Sequence, residues 1–269
     1  MECHRETRHS SPWQQEPVTA EPEAPRRWAG RRTSAPWGVS WLLAVVLLGA
    51  GCGIPKDVDS TLERVRGGTL RVGVVEHEPF TRVENGTPAG PEVQLAQELA
   101  QKMGATVAWT VGAESRLMEA VSHRQIDLVI GGIAADTPYG SHVGLSQPYL
   151  RARLTVGVPA GQTAPSELKG QRVAVAQGHA ASALLEKKGA VPEPVKSLST
   201  APGLRAAPDW QLEAWGYTPT ELSLKKEAVL MVVPPGENGW LRQVDLFLHE
   251  REAQARTRLV EAARQGEER

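Results

Sequence analysis

Residues 69–130 carry the clearest structural signal in the chain, because they contain TLRVGVV (69–75), PEVQLAQELAQKMG (91–104), TVAWTV (106–111) and IDLVI (126–130). Three of these segments are short and rich in β-branched residues, which is typical of strands. IDLVI is almost wholly apolar, as expected of a strand that is covered on both faces. The order strand, helix, strand, helix, strand at this spacing predicts a right-handed parallel α/β unit.

The helix between the first two strands has clear start and stop signals. Pro91 stands in its first turn and is followed by Glu92, and Gly104 closes it. Its apolar residues recur at helical spacing and predict one buried face: Val93, Ala96, Leu99, Ala100 and Met103. A second, shorter helix is indicated by Leu117, Ala120 and Val121.

The same alternation restarts in a smaller second unit. Strands are predicted at 153–158, at 172–176, around Val195 and at 204–207, with a helix that follows Gln177-Gly178-His179. A unit of roughly 55 residues is not expected to fold well alone, so it needs the rest of the chain.

The C-terminal part is predicted to return to the first unit. It has a strand at 228–233 and a helix capped by Asn238. The charged residues 250–269 are expected to continue this helix and to fray.

The composition excludes several classes of function. The chain has 269 residues, of which 41% are hydrophobic and 23% charged, and its formal net charge is −1. Such a balance is globular and gives no electrostatic case for nucleic-acid binding. The chain has no phosphate loop, no dinucleotide fingerprint, no nucleophile elbow and no zinc-type spacing. We therefore expect a monomeric binding protein rather than an enzyme, without a cofactor.

A metal site is also not expected. The candidate ligands are the acidic and histidine side chains Glu76, His77, Glu78, His142 and His179. Their spacing matches no known metal pattern.

The first 51 residues are typical of a signal peptide. Arginine pairs precede an apolar run from Val39 to Gly51, which is shorter than the roughly 20 residues of a membrane-spanning helix. The segment Leu48-Gly49-Ala50-Gly51-Cys52 resembles the lipobox of lipoproteins, with Gly49 where leucine is usual. Residues 1–51 are thus predicted to be removed, Cys52 to be lipidated and acylated as with palmitate, and residues 52–66 to form a tether. A short uncleaved anchor is the alternative.

These features predict an exported protein, held by lipid at the outer face of the cell membrane or in the periplasm. Cys3 leaves with the leader, so the mature chain has no disulfide and depends on its core.

The chain resembles the family 3 extracellular solute-binding proteins of ABC importers, the polar amino-acid binders. The resemblance covers about residues 67–250, and its motifs follow the family's order: Leu70-Arg71-Val72-Gly73-Val74 with Glu78-Pro79-Phe80, Asn85-Gly86, Gly90-Pro91-Glu92-Val93, Ile126-Asp127-Leu128-Val129-Ile130-Gly131-Gly132, Leu145-Ser146-Gln147-Pro148-Tyr149, and Leu168-Lys169-Gly170-Gln171-Arg172-Val173-Ala174-Val175. Each motif is weak alone, but six in register are a strong signal.

The resemblance implies a periplasmic-binding-protein-like type II fold of the α/β class, with two lobes joined by two crossover strands and a ligand cleft between them. Lobe 1 is then predicted at 67–152 with a return at 209–250, lobe 2 at 153–208, and a charged C-terminal helix at 251–269. The outgoing crossover falls at Tyr149 to Val158 and the return at Leu204 to Asp209. The lobes would close on a ligand by a hinge motion.

The ligand site is expected where strands point their carboxyl ends. This reasoning and the resemblance select ten residues: Glu76, Phe80, Gly131, Gly132, Ala134, Tyr139, Gln177, Gly178, His179 and Asp209. Phe80 would stack on the ligand or else belong to the core. The two glycines would let backbone approach the ligand. The helix that begins after Gly178 would suit an anion, whereas His179 itself is more typical of a surface residue.

Two of these positions decide the ligand's chemistry. Asp209 matches the family position that holds the ligand's amino group, although Asp209 could instead cap the following helix. Tyr139 stands where the family's amino-acid binders have an arginine that clamps the carboxylate. The loss of such a charged hydrogen bond costs about 1.5–3 kcal/mol, so a standard amino acid is expected to bind poorly.

Three functions remain open at this stage. The first is capture of a small polar, amine-bearing solute and its delivery to an ABC permease. The second is an enzyme on the same fold, since some periplasmic cyclohexadienyl dehydratases are built this way, with an acid such as Glu76 in the cleft. The third is a sensory or structural lobe that has lost transport.

Overall fold

The computed structural model describes residues 57–267 of the chain, and the side chain of Glu267 is excluded. The predicted signal peptide at 1–51 and the predicted lipidation of Cys52 lie outside the described residues. No helix within 57–267 combines the length and the apolar character that crossing a bilayer requires.

The first half of the fold contains the predicted α/β unit. Its elements are α1 (Thr61–Val65), β1 (Thr69–Val74), β2 (Arg82–Glu84), β3 (Thr87–Ala89), α2 (Pro91–Lys102), β4 (Thr106–Val111), α3 (Glu114–Ser122), β5 (Leu128–Ala134) and β6 (Gly144–Leu145). Strand β1 pairs in parallel with β4 on one side and with β5 on the other, as the sequence predicts. The helix α2 starts at Pro91, and Gly104 follows its end with a φ of +65°, which glycine accommodates without strain.

The second half and the return to the first half complete the fold. The second half contains β7 (Leu150–Pro159), β8 (Arg172–Ala176), α4 (Ala181–Lys187), β9 (Val191–Val195) and β10 (Leu204–Pro208). The return contains α5 (Asp209–Ala214), β11 (Tyr217–Val233) and α6 (Asn238–Glu267). One curved sheet has the order β4-β1-β5-β11-β7-β10-β8-β9, and β6 pairs with β11. The predicted α/β fold class, with two strand-helix units joined through crossover strands, is confirmed.

Two long antiparallel strands, β7 and β11, connect the halves. Strand β11 has 17 residues and pairs with β5 at one end and with β7 along most of its length. The predicted return at Leu204–Asp209 is wrong, because β10 lies within the second half, between β7 and β8. The return strand is Tyr217–Val233, of which the sequence pattern revealed only the apolar end at 228–233.

The first half has apolar cores on both faces of its sheet. Alternate residues of β5 divide between them: Leu128 and Ile130 join a core with α2 and α6, whereas Val129 and Ile133 join a core with α3. This alternation follows from the two-residue period of a strand. The second half has a smaller core of its own, formed by residues between Leu154 and Ala206.

Two segments are more ordered than the sequence suggests. Within the predicted tether at 52–66, residues 57–65 pack onto the fold, because the Glu237 carboxylate accepts the N–H groups of Asp59 at 2.7 Å and of Thr61 at 3.0 Å. The predicted fraying after residue 250 is also wrong, since α6 runs unbroken to Glu267 and buries Leu259.

Candidate functional site

A cavity of about 570 Å³ lies between the two halves. Its wall combines the loop after β1, the end of β5, the crossover strands and the C-terminal end of α6 from one side with residues that follow β8, β9 and β10 from the other. It therefore opens at the carboxyl ends of β1, β5, β8 and β10, which is where an α/β sheet places a ligand.

A buried carboxylate supports the floor of this cavity. The sequence indicated its residue only as part of a helix start. Glu92, in the first turn of α2, is fully buried. Its carboxylate accepts hydrogen bonds from the N–H groups of Gly131 and Gly132, the latter at 3.1 Å, and from the Tyr149 hydroxyl. Because Tyr149 directly precedes β7, this network joins the floor to a crossover strand.

Burial governs the ionisation of this network. It raises the pKa of Glu92, and the hydrogen bonds from Tyr149 and the two glycines oppose part of that rise. Burial, together with the Glu92 charge, also raises the pKa of Tyr149 well above its ordinary value. The tyrosine therefore stays a hydrogen-bond donor to the glutamate.

The Gly132 backbone lies against the aromatic side chain of Phe80. Gly132 has a φ of +66°, and a Cβ there would come within 2.5 Å of Phe80 Cδ2. Phe80 is 7% exposed and contacts Trp210 edge-on, with ring centroids 5.9 Å apart. Both Phe80 and Gly132 line the cavity. Phe80 is thus a core residue that also lines the cavity, and its stacking on a ligand stays a prediction.

The other predicted residues divide into two groups. Ala134 and His179 line the cavity, together with Phe80 and Gly132. Gly131 lies directly beneath, and its N–H points to Glu92. The remaining residues of the predicted site lie outside the lining: Glu76, Tyr139, Gln177, Gly178 and Asp209. Glu76 is exposed and accepts the Val83 N–H, whereas Tyr139 packs beside the apolar core of α3.

Asp209 is already engaged by neighbouring groups. One carboxylate oxygen accepts the Trp210 N–H at 2.9 Å at the start of α5, and the other lies 3.4 Å from Arg153 Nε. Asp209 lines a neighbouring cavity of about 510 Å³ that is more open to solvent. Asp209 is the first residue of α5, whose N-cap is Pro208 without a side-chain cap hydrogen bond, so the alternative in which Asp209 caps this helix is wrong.

His179 remains neutral near pH 7. Burial lowers its pKa, and the nearby charges of His77 and Lys225 act in the same direction. Its Nδ1 accepts the Ala181 N–H at 3.1 Å, so the ring is turned towards the start of α4.

Several residues of the cavity wall were not predicted, because the sequence pattern at residues 217–227 did not indicate a strand. Lys225 and Glu227, on β11, both line the cavity, and Lys225 Nζ lies 2.7 Å from Asp136 Oδ2. Burial raises the pKa of Glu227; Lys225 opposes this rise, whereas the charges of Asp136 and Asp209 add to it. Trp210 and Trp215 also line the cavity. In the sequence, only their proximity to Asp209 could have indicated that position.

Comparison with known proteins agrees with this architecture. The sequence pattern of the bacterial extracellular solute-binding proteins, family 3, matches residues 70–261. Over 96 residues the chain is 32% identical to the cyclohexadienyl dehydratase of Pseudomonas aeruginosa. That match covers 35% of this chain and 36% of the dehydratase, so the chain spans about a third of this relative.

Two solved structures share the fold over most of the chain. The L-cystine solute receptor of Neisseria gonorrhoeae, in its unliganded open conformation, has a TM-score of 0.61 at 18% identity and covers 73% of this chain and 93% of its own. An ancestral cationic amino acid solute-binding protein has a TM-score of 0.62 at 21% identity and covers 75% of this chain and 98% of its own. With the fold, the cavity and the sequence match in agreement, the chain belongs to the bacterial extracellular solute-binding proteins, family 3.

Proposed function

We propose that this protein captures a small polar, amine-bearing solute of the amino-acid type in the cavity between its halves and delivers it to the permease of an ABC transporter. The observation that carries this proposal is the cavity of about 570 Å³, which both halves line. A volume of this size is typical of sites for small molecules.

A hinge between the halves supports a capture role. Strands β7 and β11 pair with each other and connect the halves, and β11 changes register between Pro219 and Ser223 and between Ser223 and Lys225. A pair of extended strands with such irregularities can absorb the change in backbone angles that closure on a ligand requires. The separate core between Leu154 and Ala206 supports a moving lobe with the predicted bounds 153–208.

The mode of delivery is part of the proposal. Lipidation at Cys52 would hold the binding domain near the outer face of the membrane as a monomer, within reach of a permease. This rests on the sequence of the first 52 residues and on the extracellular character of the family.

A binding screen with the purified protein tests the function. The melting temperature is measured with amino acids, polyamines and small organic acids, because a ligand that binds only the folded state raises it by mass action. We expect amine-bearing solutes to raise the melting temperature and small-angle scattering to show a more compact particle with the same solutes. A screen in which no small solute changes either quantity would contradict the proposal.

A dehydratase is the second candidate, and the match to the Pseudomonas aeruginosa enzyme favours it. The predicted acid Glu76 does not support it, because Glu76 is exposed and lies outside the cavity wall. Incubation with a cyclohexadienyl acid such as prephenate distinguishes the two functions. Turnover would establish the enzyme, whereas a shift in melting temperature without turnover would leave the binding function.

A further inference from the structure

The charged side chains of the cavity wall differ in whether they already have a partner. Lys225 pairs with Asp136 at 2.7 Å, and Arg82 pairs with Glu84 at 2.5 Å. The side chains of three more charged lining residues make no ion pair or hydrogen bond with another residue of 57–267: Glu78, Lys196 and Glu227. Of these three, Glu78 and Lys196 are exposed, whereas Glu227 is half-buried.

The position of Glu227 leaves room beside its carboxylate. Glu227 lies on β11 directly opposite Ala152 of β7. Ala134, Ala152 and Ala228 are the nearest parts of the wall along these strands, and all three line the same cavity. The small side chain of Ala152, directly opposite, leaves space beside Glu227 on this face of the crossover strands, while Arg151 and Arg153 flank it on β7.

The charge around Glu227 is unbalanced. Lys225, whose charge acts on Glu227, is already engaged by Asp136, and burial disfavours the ionised carboxylate. A half-buried carboxylate that has lost water without gaining a partner is a site where a bound cation relieves the cost of burial. The imidazole of His179 on the opposite wall is held neutral and does not supply that cation.

Asp209, the position that the family resemblance suggested for binding the ligand's amine, is less suited to that role. The two oxygens of Asp209 face the Trp210 N–H and Arg153, and Arg153 also pairs with Glu221 at 2.9 Å. A ligand amine at Asp209 would have to compete with a cation that is already in place.

We infer that Glu227, on the return strand β11, is the carboxylate that receives the cationic group of the ligand, an ammonium or a guanidinium. This inference rests on the proposed solute-binding function and assigns the amine to a crossover strand rather than to the start of α5. Because β11 joins the two halves, an ion pair at Glu227 forms two residues after the register shift that ends at Lys225.

The test uses four probes on the full chain: L-lysine, L-arginine, 1,5-diaminopentane, and glutarate as a solute without an amine. Calorimetry measures their affinity for the unsubstituted protein and for Glu227→Gln, Glu227→Asp, Asp209→Asn and Glu221→Gln. The last variant is the matched control, because Glu221 is on the same strand and its side chain is 92% exposed. We expect Glu227→Gln to weaken the best amine probe about 10- to 100-fold, the effect of losing one charged hydrogen bond. Glu221→Gln should stay within about twofold.

Glu227→Asp keeps the negative charge but shortens the side chain, so it distinguishes the effect of the charge from an effect of packing. It should bind the amine more tightly than Glu227→Gln, and Asp209→Asn should lose less affinity than Glu227→Gln. If Glu227→Gln binds the amine as the unsubstituted protein does, the inference is wrong and the proposed function stands. If the unsubstituted protein binds none of the amines, or glutarate alone, both the inference and the amine-binding function are wrong.

Discussion

The two halves of the molecule differ in how they are held together. Of the twelve largest fully buried side chains within residues 57–267, only Leu154 and Leu185 belong to the core of the second half, so the first half holds nearly all of the large apolar burial described. The second half has one helix of seven residues, and its edge strand β9 contains Pro192 and Pro194. The first half is therefore a rigid frame. The second half, here called the wall, has low intrinsic stability.

The polar groups show the same contrast. In the first half the carboxylate of Asp127 is fully buried and accepts hydrogen bonds from Arg64 at 3.1 Å and from Arg71 at 3.0 Å. In the second half the Arg172–Glu193 pair lies on the surface, with 76% of the arginine side chain exposed. Because the second half has only a small core and a surface ion pair of this kind, a bound ligand can order it. The proposed capture of a solute requires such ordering.

The largest expected effect comes from Trp240→Ala in the first half. Trp240 is fully buried, and its Nε1–H donates to the Asp127 carbonyl at 2.7 Å. We expect a loss of about 3–5 kcal/mol in the free energy of unfolding, measured by denaturant titration, with the whole domain unfolding in one step. Leu246→Ala on the same helix is the control, because Leu246 is 50% exposed and should change stability by less than about 0.5 kcal/mol.

Leu185→Ala tests whether the second half opens on its own. Leu185 is fully buried in the small core, and its truncation should cost about 2–3 kcal/mol. Hydrogen exchange should then quicken roughly 30- to 150-fold at the amides of β8 and β9, with β1 and β5 unchanged. Equal acceleration in β1 and β5 would mean that the halves unfold together and that the frame-and-wall contrast is wrong.

The sequence predicted the frame far better than the wall. The elements of 69–130 carry apolar periodicity that is local, so β1, α2, β4, α3 and β5 could be recognised without knowing their neighbours. Residues 217–227 are polar, and their strand depends on pairing with β7 across the chain. No local pattern reports such a pairing, and Lys225 and Glu227 were missed with it.

The same limit applies to single site residues. The spacing around Glu92 indicated a helix start, but nothing local showed that Gly131, Gly132 and Tyr149 would converge on its carboxylate. Phe80 and Gly132 were predicted because strand ends meet at one edge of a sheet. Asp209 was selected by the strand-end reasoning and by the resemblance, and the partner that engages it, Arg153, lies 56 residues away in the sequence.

Acid should remove the stabilisation that the Asp127 carboxylate gives to the frame. Burial alone would raise the pKa of Asp127, but the hydrogen bonds from Arg71 and Arg64 outweigh it, and the pKa is lowered. Its stabilisation is therefore complete above about pH 4, where the unfolded group is ionised, and is lost as the pH falls through the lower folded value. We expect Asp127→Asn to cost about 1.5–3 kcal/mol at pH 7 and much less at pH 2, by denaturant titration at both pH values. An equal cost at both would show that the charge does not contribute.

The smallest effect is expected at the edge of the wall, from Glu193→Gln. Its partner Arg172 is largely exposed, so water and salt screen the attraction and the pair holds two long side chains for little gain. Denaturant titration should show a loss below about 1 kcal/mol, and 1 M salt should remove it in the unsubstituted protein as well. Glu193 lies on β9 beside β8, the strand whose amides Leu185→Ala is expected to release. A cost for Glu193→Gln as large as that for Asp127→Asn would mean that the wall is held as firmly as the frame, and closure would then have to come from the crossover strands alone.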